Sequence, residues 1–375
     1  MDFTLDSEQT ALRDAVRGLL KGYDAEHRRE VTKEDPGFDE KMWGRLAEMG
    51  VLGLPFAEDD GGMGAGPVEL SVVAEEIGRV NAPEPFAESV VLAGGLVAAL
   101  GTSEQKQDVL GRLSSGELVP AAAVLEPAGR WDLAAGGVTE SDGTLTGVKE
   151  PVLGGSRADL FVVTAAVGDG VGVFLVEPGD GVSVSSYTTI DGTRAARVTF
   201  DGAAATRLGD GSTDDLAAIE RVVAAAKIAY CHEAVGLMDT ALRLTTEYLT
   251  TRKQFGVTLN RFQALTFRAA DMYTSVELTR SIVTWATMVI ADPTSSPEKV
   301  TEAARRAKLQ VSKAGRHVGQ EAIQLHGGIG MTAEYSVGHY TARLTAIDHL
   351  LGDGREQTSH LAAHLTDYGV VEPLP

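Results

Sequence analysis

Between Pro178 and Pro293 this chain has no proline, and after Pro297 none recurs until Pro373. A proline inside a helix removes a hydrogen bond and costs roughly 3 kcal/mol, so two such gaps, filled with Ala, Leu, Val and Glu, predict long helices. Asp292-Pro293-Thr294-Ser295-Ser296-Pro297 supplies the turn between two pairs of them. The C-terminal part is expected to be a bundle of about four helices, an architecture that takes ligands between helices or between subunits.

From Phe3 to about Val119 apolar residues also recur at helical steps: Leu12, Val16 and Leu19-Leu20, then Trp43, Leu46 and Met49, then Leu70, Val73-Ala74 and Ile77. Pro55 to Pro67, with Gly61-Gly62 and Gly64, interrupts them as a long loop. From about Pro120 to Gly211 the texture changes. Leu160-Phe161-Val162-Val163, Val171 to Val176 and Val198-Thr199-Phe200 are short β-favouring runs between turns such as Ser141-Asp142-Gly143 and Asp191-Gly192. With no helical segment between them, they point to an antiparallel barrel or sandwich. The predicted class is mainly α with a central β domain, divided into a helical domain over 1–119, a β domain over 120–211 and a helical bundle over 212–375.

At 375 residues, 43% of them hydrophobic, the chain has the material for a large core. Its 33 basic and 53 acidic side chains leave a net charge of −20, which repels a polyanion and excludes a nucleic-acid role. The one cysteine, Cys231, lies in an apolar stretch and reads as a buried small hydrophobe in a reducing compartment. Asp2, Asp6 and Glu8 at the start do not fit a secretory signal, and no run of 18 apolar residues is present to span a membrane. A cytoplasmic protein is expected.

Two runs in the bundle carry chemistry. Arg252-Lys253-Gln254-Phe255-Gly256 leads to Phe262-Gln263, and Gln324-Leu325-His326-Gly327-Gly328-Ile329-Gly330 follows some way on. Arg252 offers a bidentate, charge-assisted contact to pyrophosphate and Phe255 a flat apolar face. The glycines allow backbone N–H groups to approach a ligand. Taken singly, Arg252 reads equally as a solvated cation at a helix end and Gly327-Gly328 as a helix cap.

The order of helical, β and helical-bundle domains, with these two motifs in the bundle, resembles the acyl-CoA dehydrogenase family over essentially the whole chain. Met1-Asp2-Phe3-Thr4-Leu5 with Leu12-Arg13, and Gly61-Gly62-Met63-Gly64 in the first long loop, look like that family too. The resemblance implies α,β-dehydrogenation of an acyl-CoA thioester with FAD, and an electron-transfer flavoprotein as acceptor. It places Arg252, Gln254, Phe255, Gln263, Gln324, Gly327 and Gly328 against the adenosine diphosphate half of a flavin held mainly by a neighbouring subunit.

Other positions depart from the family. Where it usually carries Thr-Glu-Pro-Gly-X-Gly-Ser-Asp, this chain has Leu125-Glu126-Pro127-Ala128-Gly129-Arg130-Trp131-Asp132. Where it carries Gly-X-Lys-X-Trp-Ile-Thr, there is Gly147-Val148-Lys149-Glu150-Pro151-Val152-Leu153. Leu125 and Leu153 cannot hydrogen-bond a flavin ring through their side chains, Trp131 fills space, and Pro151 belongs at a strand edge or bulge. The family's glutamate base matches Gly352 in Leu350-Leu351-Gly352-Asp353-Gly354-Arg355, and its alternative position matches Ala226, next to Lys227. Neither is a carboxylate, so the catalytic residue is left unassigned.

What is missing belongs to a subunit's own flavin; what remains is lent to a neighbour. That split resembles the non-catalytic subunit of the family's α2β2 heterotetramers in steroid and cholesterol degradation, acting with a homologous partner. Two alternatives stay open: a homotetrameric flavoenzyme using Asp353 or no base, and a flavin-free scaffold or CoA-binding protein. In the first, Asp353 is a base from a shifted loop; otherwise it bonds its own turn.

Overall fold

The computed structural model describes residues 4–134, 136–211 and 214–365; Met1–Phe3 of the opening motif lie outside them. Six α-helices come first: α1 Ser7–Leu20, α2 Ala25–Lys33, α3 Glu40–Glu48, α4 Pro67–Val80, α5 Gly95–Leu100 and α6 Ser103–Ser114. A π-helical run, Phe86–Gly94, leads into α5. Local chemistry sets their ends. Asp6 accepts from the N–H groups of Glu8 and Gln9 while the Gln9 side chain returns to the Asp6 N–H, a capping box that starts α1. Pro67 opens α4, where its missing N–H is not needed.

The middle of the chain forms β1 Pro120–Ala123, β2 Thr139–Ser141, β3 Thr144–Leu153, β4 Leu160–Val167, β5 Gly170–Val176, β6 Val182–Thr188, β7 Arg194–Ala204 and β8 Thr206–Arg207. They make one curled sheet in the order β6-β7-β3-β2-β4-β5-β8, with β1 also paired to β4. Most pairs are antiparallel, but β1 and β2 run parallel to β4, a departure from the fully antiparallel expectation. Parallel pairing needs a long return connection, and the excursion from β1 through β2 and β3 to β4 provides one. The inner face has its own apolar cluster, in which Phe161 and Phe200 meet edge to face at 6.4 Å.

The proline-free gaps hold α7 Leu216–Thr251, α8 Gln263–Ala291, α9 Pro297–His326, α10 Val337–His349 and α11 Gly354–Ala363. Ser296 caps α9 by accepting from the Lys299 N–H at 3.3 Å, and Pro297 takes its first position. The middle of α7, Ile228 to Met238, is buried. It packs on α4 so closely that a Cβ at Gly78 would strike the Glu233 carbonyl and one at Gly236 the Glu75 carbonyl. Cys231, fully buried there, has its thiol pushed up to about 12 by burial, in keeping with a packing role.

A buried ionic cluster ties the three parts together. Arg343 on α10 donates through Nε to Glu233 Oε1 of α7 at 2.6 Å and through Nη1 to Asp191 Oδ2 of the β6–β7 turn at 3.1 Å. Its Nη2 also lies 3.7 Å from Glu88 Oε1 in the π-helical run, and the Tyr230 hydroxyl donates to the same oxygen at 2.9 Å. Burial is the largest influence on Asp191 and opposes its charge, but Arg343, Thr189, Arg28 and Thr193 together hold that carboxyl below its ordinary range. Among the described residues no helix is long and apolar enough to cross a membrane.

Candidate cofactor site

The residues expected to contact a cofactor gather at one end of the bundle. α7 stops at Thr251, and Arg252 follows in extended backbone with its side chain exposed and, among the described residues, without a hydrogen bond. Lys253–Gln254 and Val257–Thr258 (β9 and β10) then pair as a tiny antiparallel hairpin. Both residues of its turn have positive φ, Phe255 at 52° and Gly256 at 83°, the geometry of a two-residue primed turn. Glycine adopts this freely; a phenylalanine there is held in a sparsely populated region, a strain typical of functional sites. The Phe255 ring is 92% exposed and meets Phe262 edge to face at 6.2 Å.

Gln263 opens α8 with its side chain in solvent, and Gln324 stands exposed in the last turn of α9. Gly327, at φ 65°, ends α9, and its N–H is taken up by the carbonyls of Gln324 and Ile323. The cap role read from the sequence is therefore real, and Gly328 lies within the 3₁₀ turn Gly327–Met331. Two contacts bring the motifs side by side. The Tyr248 ring, a turn before Arg252, lies 4.6 Å from that of His326, and Arg268 Nη2 on α8 donates to Glu321 Oε1 on α9 at 3.0 Å. The result is an open surface with an unpaired guanidinium, three free amides and a flat aromatic face, suited to a pyrophosphate-linked adenosine.

The chain's own cradle has the opposite character. The Leu125 side chain is buried and its carbonyl accepts from the Glu150 N–H at 2.9 Å, which binds the first cradle segment to β3. Beneath, Lys149 Nζ is fully buried between Glu126 Oε1 and Thr164 Oγ1, each at 2.9 Å. β3 slips register against β7 between Lys149 and Val152, so Pro151 sits at a bulge as expected. Trp131 Nε1 donates to the His349 carbonyl at 3.0 Å. The space enclosed by Leu125, Pro151, Leu153, Tyr230, His349 and Leu351 has a volume of about 30 Å³. Ligand sites run to roughly 300 Å³ or more, and the adjoining cavity of about 400 Å³, which Leu125 and Leu351 also border with Trp131, is the larger space.

Neither base position is open to a carboxylate. Gly352 has φ 108°, and a Cβ there would collide with Gln357 Nε2. Asp353 is the N-cap of α11, one oxygen accepting from the N–H groups of Arg355 at 2.9 Å and Glu356 at 2.8 Å. That is the turn-bonding role. Ala226 and Lys227 beside it are buried, and neither is a carboxylate. Glu247 pairs with Arg243 at 2.9 Å on the surface. The sequence reading did not mark Arg305, which comes from α9 to face Lys227 of α7 across a second cavity; no local motif announces it.

The models for the acyl-CoA dehydrogenase N-terminal and C-terminal domains match residues 6–117 and 216–366. "Acyl-CoA dehydrogenase FadE27" of Mycobacterium tuberculosis is 30% identical over 98% of this chain and 99% of its own length. Two solved structures each superpose with a TM-score of 0.88: the ChsE4-ChsE5 complex from Mycobacterium tuberculosis, 28% identical over 99% of this chain and all of that one, and a variant of the Tcur3481-Tcur3483 steroid ACAD, 30% identical over 97% and 99%.

Proposed function

This chain belongs to the acyl-CoA dehydrogenase family, and from that premise we propose that it is the non-catalytic subunit of an FAD-dependent dehydrogenase completed by a homologous partner. One contrast carries the reading: Leu125, Pro151 and Leu153, at the family's ring-contact positions, surround a cavity of only about 30 Å³, whereas the surface at Arg252 and Phe255 stands open. The titles of the two superposing structures name paired chains or a steroid substrate class, which supports both a partner and a bulky ring-bearing acyl group.

In this reading Arg252 pairs with the pyrophosphate, Gln254, Gln263 and Gln324 donate to it and to the adenosine, and Phe255 covers an apolar face. Gly327 and Gly328 keep side chains out of the way. The partner supplies the base and the ring contacts, since neither Gly352 nor Ala226 can act and Asp353 is engaged as a cap. Removal of the α-proton by that base and of the β-hydride as the acyl-CoA is oxidised is the chemistry FAD serves when bound. An electron-transfer flavoprotein is the acceptor this reading assigns.

The test is flavin content. Purified alone, the chain is expected to be colourless and inactive; co-expressed with its homologous partner, the complex should hold one FAD per pair. Stoichiometric FAD in the isolated chain would overturn the proposal.

A further inference from the structure

Sharing no residue with the cofactor surface or the cradle, a cavity of about 500 Å³ lies among α1, α4, α7 and α8. It is large enough for a small molecule. His232 of α7, only 5% exposed, is bonded through Nε2 to the Thr287 hydroxyl of α8 at 2.7 Å, and that hydroxyl donates to the Val283 carbonyl at 3.1 Å. With the hydroxyl hydrogen spent on Val283, Nε2 is the donor, which leaves Nδ1 of the neutral ring an acceptor. Nδ1 faces Glu75 Oε2 of α4 at 3.8 Å, too far for a hydrogen bond, and among the described residues neither atom makes one elsewhere. Two acceptors therefore confront each other across a gap. Thr284, one helical turn from both Arg280 and Thr287, borders the same cavity, and among the described residues its hydroxyl has no hydrogen bond.

The charges around this gap lean negative. Glu75 Oε1 accepts from Arg280 Nη1 at 2.7 Å and Arg79 Nη2 at 3.2 Å, and both arginines also donate to Asp239. Arg17 pairs with Glu76, and Glu277 lies against Arg280. Four carboxylates thus meet three guanidinium groups in this network. On the α1 side Arg13 is matched by Asp14, and the Asp6 and Glu69 carboxylates accept from backbone and amide N–H groups. Burial opposes the charge on Glu75, but His232 and Arg280 hold its carboxyl down at about 2, so it is an anion at neutral pH. Leu5, Val68, Val72 and Met288 supply apolar lining.

We propose that this cavity binds a small primary amine, its ammonium donating to Glu75 Oε2, His232 Nδ1 and the Thr284 hydroxyl and its apolar body lying along Leu5, Val72 and Met288. An ammonium brings three N–H donors to three acceptors and adds the positive charge the network lacks. An alcohol brings one donor and no charge; a quaternary ammonium brings the charge and no donor. The site lies wholly within this chain and stands or falls separately from the partner reading.

Calorimetry on the full chain at pH 7 in phosphate buffer tests this with butylammonium, cyclohexylammonium, tetramethylammonium and 1-butanol, and with zinc chloride in an amine-free sulfonate buffer. The expected result is one site for butylammonium and cyclohexylammonium, binding by tetramethylammonium and 1-butanol at least tenfold weaker, and a shift of the His232 ring nitrogen resonances on addition of butylammonium. Glu75→Gln should weaken butylammonium tenfold or more while the circular dichroism spectrum is kept. Thr284→Val, which keeps the side-chain shape, should weaken it severalfold, and decides the matter if the first variant does not fold. Failure of either primary amine to bind the folded chain would overturn the proposal. So would unchanged affinity in the folded variants, or tighter binding by tetramethylammonium, 1-butanol or zinc than by butylammonium.

Discussion

Along the single helix α7, Val223 and Lys227 look into a cavity walled by Trp131 and Leu351, while Arg252, just past its last turn, stands free in solvent. Both regions are built from the same kind of helix, and what separates them is side-chain size and pairing. At the walled end, bulky apolar groups line the cavity, Trp131 hydrogen-bonds the His349 carbonyl, and Leu125, Pro151 and Leu153 leave only about 30 Å³ between them. At the open end, strain is kept in an exposed phenylalanine and a cation is left unpaired.

The strongest way to break this contrast is from beneath. Arg343→Leu leaves Glu233 and Asp191 buried without their cation, and should lower stability by about 3–5 kcal/mol in urea unfolding. An effect on a surface ion-pair scale would show that the three parts are held together by packing alone. Next comes the closed base position. Gly352→Glu forces a side chain into a positive φ and against Gln357, and should cost about 2–3 kcal/mol without creating activity in the isolated chain.

Arg252→Ala separates the regions most cleanly. Stability should stay within ~0.5 kcal/mol, because the side chain is exposed and, among the described residues, makes no hydrogen bond, whereas FAD retained by the complex should weaken about 10- to 100-fold. A pH titration sharpens the walled end. Lys227 has a folded pKa of about 7, below its ordinary 10.5, so the unfolded chain binds more protons between those values. Stability should therefore climb as pH rises from about 7 to 10.5, and Lys227→Met should flatten that climb; an identical profile would remove the lysine from the argument. The smallest effect belongs to Phe255→Gly, which relieves the turn and should raise stability by at most about 1 kcal/mol while lowering FAD retention.

Some of this was legible in the residues. The prolines announced α7, α8 and α9, and Pro151 announced a bulge in β3. Arg252, Gln254 and Phe255 are adjacent in the chain, so their common exposure could be anticipated from one motif. The parallel pairing of β1 was not visible, since Pro120–Ala123 has almost no β-branched character and its partner lies far along the chain. Nor was Arg305, whose meaning comes from facing Lys227 across two helices.

Sequence by itself determined the helical and β regions, the family resemblance and the losses at Leu125, Pro151, Leu153 and Gly352, because period, proline and motif identity are local properties. Only the tertiary structure decided that Trp131 bonds the His349 carbonyl, that Asp353 serves as a cap, and that Lys227 and Arg305 share a cavity. Those facts depend on which distant segments meet, and burial, pairing and free volume exist only once they have met.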